Sequence, residues 1–294
     1  MPVKAKEEGR RWVFRIAAIN IAADPHPPGI YEHLFDAARR SKEPVIFYGK
    51  KAGELGDYEK RHIDGDEALI GEFHTFTNID TRARWFDLKA KEPIDPDDID
   101  LSEIENKSPE YTPVQFMFLL KKHLLVFDAA LTPNMMERLV QRTFEQAAEQ
   151  EKVTLNTTII PESETVDAIF AMRRLDTLTI HIRPPNPDHD ADLEESIMNG
   201  IAAENAEFKE ITLKAKNEVG LTPSEQTRRE ASVAQDNGYV FGKGKTETGA
   251  PEELNTREHP RIQRVLSDPN VRRAAAFVGA AMTFVADLLR SRRR

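Results

Sequence analysis

The stretch 114–182 constrains the fold most strongly, because its apolar spacing changes between strand and helix periods in a fixed order. Two strand-like apolar runs separated by Lys121 and Lys122 predict a β-hairpin. Thr132 followed by Pro133 predicts the N-cap and the first residue of a helix. The elements predicted next are this helix to about residue 150, a strand over 153–160, a helix over 164–173 and a strand over 178–182.

The order of these elements predicts the fold class. A strand–helix–strand–helix–strand succession over 123–182 is a βαβαβ segment, whose crossovers place the strands in one shared sheet. We therefore predict an α+β fold with a mixed β-sheet core, followed by a helical C-terminal region. The predicted domains are a sheet core over 11–183, a helical region with a flexible Gly- and Lys-rich loop over 184–256, and a basic C-terminal helix over 257–294.

Composition excludes several classes of protein. The 294 residues include no cysteine, so disulfides and cysteine-ligated zinc are excluded and a cytoplasmic location is expected. The apolar stretch 274–289 contains Asp287 and is shorter than the roughly 20 residues of a membrane span, so we expect no membrane contact. A net charge of −9 argues against a uniformly basic, nucleic-acid-coating protein.

The charge is nevertheless unevenly distributed. Residues 257–294 contain nine arginines and three acids, so they carry +6 while the rest of the chain carries −15. Arginine pairs well with phosphate and gives affinity that does not depend on sequence, so nucleic acid is the predicted partner. The alternative is that basic residues stabilise the end of the last helix through its dipole. The predicted nucleic-acid-binding residues are Arg272, Arg273, Arg290, Arg292, Arg293, Arg294, Lys243 and Lys245.

The C-terminal helix is apolar around most of its circumference, with the small residues Gly279, Ala280 and Thr283 opposite the main stripe. Such a helix must be buried, either in its own chain or against a partner. We expect it to pack in a homodimer, which would also double the number of basic residues that face a ligand.

Six short motifs are scattered from about residue 11 to 236: GEFHTFTNID at 71–80, WFD at 85–87, KHLLVF at 122–127, IIP at 159–161, LTI at 178–180 and PNPD at 185–188. With these motifs the chain resembles a known bacterial family, the domain of unknown function numbered 4747. The resemblance implies no particular reaction. It implies that the protein occurs in bacterial genomes and mobile elements, where such proteins often serve phage defence.

No known catalytic motif is present, so the sequence favours a non-enzymatic protein. The Gly-Lys-Gly-Lys-Thr run at 242–246 lacks the first glycine of a P-loop, because Tyr239 occupies that position. Glu72 and His74 share one face of a predicted strand. The candidate acid–base residues are Glu72, His74, His123 and His181, and the candidate metal ligands are Asp188, Asp190 and Asp192, which also suit the capping of a helix N-terminus.

The sequence supports three alternative functions. The leading one is a bacterial, phage-defence-associated protein that binds nucleic acid without sequence preference as a homodimer, and no cofactor is expected. The second is a metal-dependent nuclease, in which Mg²⁺ would be held by Asp188, Asp190 and Asp192 or would assist Glu72 and His74. The third is a protein–protein interaction module of a multi-protein defence system, with the acidic stretch 92–110 as its contact with a partner protein.

Overall fold

The computed structural model describes residues 11–41, 43–80, 82–95, 107–184, 192–268 and 270–291. Asp188, Asp190, Arg292, Arg293 and Arg294 lie outside the described residues, as does most of the acidic stretch 92–110. Asp192 begins a helix, but its side chain is also outside the description.

Within these ranges the chain forms six α-helices and fourteen strands, which confirms the α+β class. The helices are α1 (Ile30–Arg40), α2 (Pro133–Glu151), α3 (Ser163–Phe170), α4 (Asp192–Ala203), α5 (Glu225–Asn237) and α6 (Arg273–Ser291). The strands are β1 (Trp12–Asp24), β2 (Val45–Tyr48), β3 (Lys51–Ile63), β4 (Asp66–Thr77), β5 (Trp85–Asp87), β6 (Glu92–Ile94), β7 (Thr112–Leu119), β8 (Leu124–Asp128), β9 (Thr154–Ile159), β10 (Arg174–Ile182), β11 (Lys209–Lys214), β12 (Gly238–Lys245), β13 (Pro251–Asn255) and β14 (Gln263–Ser267).

The large sheet has eight strands and is organised around β1. Its order is β14-β1-β8-β7-β4-β3-β2, and all of these neighbours are antiparallel. β9 also pairs with β1. Ile19 of β1 is in register with a residue of β8 and with a residue of β9, so these two strands lie on opposite sides of β1. β8 and β9 are therefore parallel to each other with β1 between them, and α2 provides the crossover that the sequence predicts.

Both faces of the large sheet are covered. Helices α1 and α2 pack on one face, where Phe35 lies against Phe116, Phe118 and Phe144. Helix α6 packs on the other face, where Phe14 meets Phe277 edge-on. Burial of these aromatic side chains is the main source of stability for a sheet with helices on both faces.

The prediction that β10 joins the same sheet is wrong. β10 pairs with β11 and β12 in a second, four-stranded antiparallel sheet of order β11-β10-β12-β13. Helices α3, α4 and α5 contribute to the apolar core on one face of this sheet. The alternation of 174–182 predicts a strand, but period alone does not determine which neighbours occupy its two edges.

The segment 184–256 is not the helical region that the sequence predicts. The part described contains α4 and α5 but also β11, β12 and β13. The predicted Gly- and Lys-rich loop is strand β12, and its glycines are required by close packing. A Cβ on Gly242 would approach Ile169 of α3 to 2.5 Å, and one on Gly244 would approach the Arg174 carbonyl oxygen to 2.1 Å.

A C-terminal helix is present, but α6 begins at Arg273 rather than at 257, because 263–267 form β14 and pair with β1. The burial of α6 is provided by its own chain. Its seven buried residues contact the face of the large sheet opposite α1 and α2. By length and composition α6 is also the one helix among the described residues that is apolar enough to cross a membrane, a test that a core helix passes equally. The homodimer, which the sequence analysis proposed as one way to bury α6, remains a prediction.

Polar contacts join the two sheets. The buried Asn20 of β1 donates from Nδ2 to the Asp236 carbonyl oxygen and to Asn237 Oδ1, both at 3.0 Å. The backbone N–H of Arg183 donates to the Asn237 carbonyl oxygen at 2.8 Å. The end of β10, the C-terminus of α5 and strand β1 of the large sheet therefore meet at one place.

Candidate nucleic-acid interface

One face of the second sheet is not covered by helices in the described part of the chain. Its cross-strand neighbours are polar or aromatic: Thr179 lies opposite Thr212 and Phe241, and the two threonine hydroxyls are 3.3 Å apart and exposed. Lys243 and Lys245 lie on this face of β12, and Lys243 pairs with Glu253 at 2.6 Å. We call this surface the open face.

A ladder of stacked groups crosses the open face at the end of β10. The His181 ring lies 4.4 Å from the Phe208 ring and 4.9 Å from the Tyr239 ring, with which it is nearly parallel. Arg257 lies on a short 3₁₀ helix, Thr256–Glu258, and its guanidinium is 4.4 Å from the centre of the Tyr239 ring. Phe208 is 43% exposed, so the ladder has an accessible aromatic end and a cationic end.

Two arginines near the ladder lack an acidic partner among the described residues. No described carboxylate lies within 4.0 Å of Arg183 or Arg257, whereas other basic side chains of this region, such as Lys209 and Arg174, form ion pairs. An arginine without an ion pair keeps its five N–H donors available for a phosphate group.

Glu137 of α2 lies within electrostatic range of the same two arginines. It is half-buried, and Thr157 of β9 donates to its Oε1 at 3.5 Å. Burial raises the pKa of Glu137, although the charges of Arg257 and Arg183 act to lower that pKa. The half-buried carboxyl group and the two guanidinium groups are therefore electrostatically coupled.

His181 belongs to the same group of charges. Burial, followed by the charge of Arg183, lowers the pKa of His181, and Arg257 acts in the same direction. Glu210 opposes these effects, since its Oε2 lies 3.6 Å from His181 Nδ1. Because Arg183 and Arg257 act on both Glu137 and His181, we treat five residues as one unit, the junction cluster: Glu137, His181, Arg183, Tyr239 and Arg257.

The predicted arginines of α6 do not converge on the junction cluster. Arg273 at the start of α6 pairs with Asp128 at 3.3 Å, and Arg290 at its end pairs with Asp287 at 2.8 Å. A helix rises about 1.5 Å per residue, so the two ends are roughly 27 Å apart. Arg272 is exposed beside the first end.

Glu72 and His74 share a face, as predicted. Phe73 between them is buried against α1 and α2, so both point to the α6 side of the large sheet. Glu72 Oε1 accepts a bond from Gln115 at 3.4 Å, and His74 Nδ1 lies 3.7 Å from Glu54. Glu72 and Gln115 line an open pocket of about 320 Å³ beside the start of α6.

His123 and His181 lie at the two ends of the segment that was expected to form one sheet, but His123 lies in the turn before β8 of the large sheet and His181 lies in β10 of the second sheet. His123 precedes β8 in a left-handed conformation with φ 52° and is buried. Its ring lies 4.8 Å from both the His26 and the Tyr31 rings. Across the described ranges, no group of three or more His, Asp or Glu side chains has an arrangement that holds a metal ion.

Sequence reasoning found His181, Lys243 and Lys245 but missed Glu137, Arg183, Tyr239 and Arg257 as members of a site. These residues are dispersed over 137–257, and no spacing rule links them. Tyr239 and Arg257 become neighbours only because β12 and β13 form a hairpin. The one local signal is the His181–Arg183 spacing, which places two polar side chains on one side of a strand end.

Comparison with known families and proteins gives one result. A family model described as a domain of unknown function (DUF4747) matches residues 13–282. No curated protein matches the chain. The matched range includes nearly all of the large sheet, the whole second sheet and junction cluster, and the first ten residues of α6.

Proposed function

Because the chain belongs to the DUF4747 family, whose description gives no activity, we propose a function from its geometry: it binds single-stranded nucleic acid without sequence preference on the open face. The observation that carries the proposal is the ladder of Phe208, His181, Tyr239 and Arg257 beside Arg183. The proposed setting is bacterial phage defence, as the family resemblance implies, in the cytoplasm, as the absence of cysteine indicates.

Single strands suit this surface better than duplexes. A base that is already unstacked can lie on the exposed Phe208 ring, and such stacking contributes about 1–3 kcal/mol per base for any sequence. The Arg183 and Arg257 guanidinium groups can bind the phosphates on either side of that base. The threonine hydroxyls of β10 and β11 provide hydrogen bonds along the same face.

The arginines of α6 have a secondary role in this proposal. Arg272 and the C-terminal Arg292, Arg293 and Arg294 add affinity through the general attraction of phosphate for positive charge. Lys243 and Lys245 extend the same attraction along β12, where Lys243 is partly neutralised by Glu253. These residues are expected to act through the salt-sensitive component of binding rather than through stacking.

The test is a fluorescence-anisotropy titration with single- and double-stranded DNA and RNA of matched sequence, at two salt concentrations, in EDTA and in magnesium. We expect single strands to bind more tightly, with affinity that falls steeply with salt. Replacing both Arg183 and Arg257 by Gln should lower the slope of log affinity against log salt by about 1.4, since each contact in a single strand contributes about 0.7.

The matched control is Arg229→Gln. Arg229 is an exposed arginine of α5 that pairs with Glu225 at 2.7 Å and lies outside the open face. Its replacement changes the net charge by the same amount per residue and should leave the affinity for single strands unchanged. Equal affinity of the double variant and the wild type would contradict the proposal, and binding by no probe would favour the protein–protein interaction module.

A further inference from the structure

A pocket on the α6 side of the large sheet plays no part in the proposed function. Its volume of about 320 Å³ is at the lower end of the roughly 300–1,000 Å³ of ligand sites, so it suits a small molecule or a single side chain. The polar side chains that line it are Asp57, Glu59, Glu72 and Gln115, and the apolar ones include Ile70, Ala274 and Phe277. We call it the Glu72 pocket.

An irregularity in strand β3 forms one side of the Glu72 pocket. The pairing of β3 with β4 shifts between Leu55 and Tyr58, so that two residues of β3, Gly56 and Asp57, lie opposite Glu72. A Cβ on Gly56 would approach the Glu72 carbonyl oxygen to 2.9 Å, so close packing favours glycine there. Such bulges often redirect a side chain beside a functional site.

Gln115 of β7 lies opposite Glu72 and has an acceptor atom without a donor. Val114 and Phe116 on either side of it belong to the core shared with α1 and α2, so the Gln115 side chain extends from the other face of the sheet, where it lines the pocket. Its Nε2 donates to Glu72 Oε1 at 3.4 Å, whereas its Oε1 is buried and has no hydrogen-bond partner among the described residues. The residue is only 8% exposed, and a buried acceptor without a donor destabilises the fold. The pocket is the space from which a ligand can supply that donor.

Glu72 differs from the other two carboxylates of the pocket because it has no basic partner. Asp57 Oδ1 lies 3.8 Å from Arg39 Nη1, and Glu59 forms an ion pair with Arg61. Across the described ranges, no lysine, arginine or histidine nitrogen lies within 4.0 Å of the Glu72 carboxylate. Glu72 is half-buried, and a carboxylate in that position is stabilised when a cation pairs with it.

We propose that the Glu72 pocket binds a primary ammonium group on an aliphatic stem. The ammonium group donates to the Glu72 carboxylate and to Gln115 Oε1, and the stem lies against Ile70 and Ala274. An ammonium group has three N–H donors and no acceptor, which matches a site whose two unsatisfied groups are both acceptors. A free alkylamine and the lysine side chain of a partner protein share this chemistry.

The test measures binding to the full chain by NMR, with isotope-labelled isoleucine δ1-methyl groups and the Ile70 signal assigned through Ile70→Val. The probes are n-pentylamine, n-pentanol and n-pentylguanidine. We expect pentylamine to shift the Ile70 signal saturably at up to about 50 mM, because ligands of this size bind weakly. Pentanol should bind at least about tenfold more weakly, since it forms no charge-assisted hydrogen bond.

Three results with these probes would overturn the inference. The first is the lack of a saturable shift at Ile70 with pentylamine. The second is equal affinity for pentanol, which would make the pocket a purely apolar site. The third is tighter binding of pentylguanidine, which would replace the ammonium group by a guanidinium group as the preferred ligand.

Two variants test the acceptors separately, and urea unfolding checks that each variant is folded. Glu72→Gln keeps an acceptor for the Gln115 amide but removes the charge, so the affinity for pentylamine should fall by about tenfold or more. Gln115→Met should lower this affinity by about tenfold and raise the urea midpoint, because the acceptor without a donor is removed. The control is Glu149→Gln on the exposed side of α2, across the sheet from the pocket, and it should bind like the wild type. Unchanged affinity in both pocket variants would contradict the proposed contacts.

A fourth probe, Nα-acetyl-lysine methylamide, distinguishes the two sources of the ammonium group. Affinity equal to that of pentylamine would support a lysine of a partner protein, since the pocket then accepts a stem attached to a peptide backbone. Much weaker binding would support a free alkylamine. The outcome does not depend on nucleic-acid binding, because the Glu72 pocket and the open face belong to different sheets.

Discussion

The role proposed for Arg257 depends on its tertiary contacts and not on its sequence neighbours. In the sequence it is one of nine arginines in 257–294, and no adjacent residue distinguishes it from the other eight as a site residue. In the fold its guanidinium lies over Tyr239 and acts on the pKa of both Glu137 and His181. A cation–π contact at an exposed site contributes about 0.5–1 kcal/mol of interaction free energy. This contribution favours the position in which the Arg257 guanidinium lies over the ring and can bind a ligand.

Phe208 provides a test at the accessible end of the ladder. We expect Phe208→Ala to weaken binding of single strands by about 1–3 kcal/mol, because one stacked base loses its platform. The 43% exposed ring contributes little to the apolar core, so the unfolding midpoint in urea should move only slightly. Unchanged anisotropy titrations for this variant would place the bases elsewhere.

Asp128 provides a test of stability against pH. Burial raises the pKa of Asp128 above its usual value, although Arg273 and the backbone N–H of Arg15 act to lower it. An acid with a raised pKa in the folded state stabilises the fold at low pH, and this contribution is lost as pH rises from about 4 through the folded-state pKa. Asp128→Asn should therefore gain stability relative to the wild type as the pH of urea unfolding increases from 4 to 7.5.

The opposite trend would contradict this account. If the pairing with Arg273 outweighed burial, the wild type would become the more stable protein at neutral pH. Arg273 is half exposed, so losing its partner costs little. Arg290→Gln, which removes the exposed pair with Asp287, is the control and should show a small effect at every pH.

At the scale of elements, local signals predicted most helices and strands. Thr132 caps α2 by accepting a bond from the Met135 N–H at 3.4 Å, and Pro133 is the first helical residue, as the Thr-Pro pair predicts. The hairpin of β7 and β8 was also predicted correctly. The assignment of β10 failed because the choice between two sheets depends on long-range partners, and β12 was missed because glycine is normally unfavourable in strands.

Two glycines give a paired test of the element assignments. Gly242→Ala in β12 should destabilise the fold by about 1–3 kcal/mol, because the new methyl group meets Ile169 of α3 at 2.5 Å. Gly279→Ala in α6 meets no atom within 4 Å and should stabilise the fold by up to about 1 kcal/mol, the helix propensity difference between the two residues. Urea unfolding measures both, and a neutral Gly242→Ala would indicate a loop rather than a packed strand.

For the whole molecule, the sequence predicted the α+β class but not the place where function resides. The junction cluster lies between two sheets, and its members come from elements distant in sequence. The periodicity of apolar residues along a strand indicates which of its faces is apolar. It does not indicate which elements of the fold pack against each other. Of the polar residues that the sequence did single out, His181 lies in the ladder, whereas Glu72 and His74 lie on the α6 side of the large sheet.

The predicted homodimer can be tested by measuring the oligomeric state of the whole molecule. The exposed side of α6, which includes Gly279 and Thr283, is the surface expected to meet a second copy. Light scattering at micromolar concentration should give twice the chain mass of 33.4 kDa, and Thr283→Arg should return it to a single chain. A wild-type mass of one chain would contradict the homodimer without affecting the junction cluster.

The central position of β1 has a consequence for biosynthesis. The N-terminal half of β1 pairs with β14, and the Trp12 indole donates to the Val271 carbonyl oxygen, 259 positions away. At ribosomal rates of about 5–20 residues per second, roughly 13–50 s separate the synthesis of these partners. Until then the sheet face that α6 will cover stays apolar and accessible, so a nascent or prematurely released chain presents a surface that chaperones and proteases recognise.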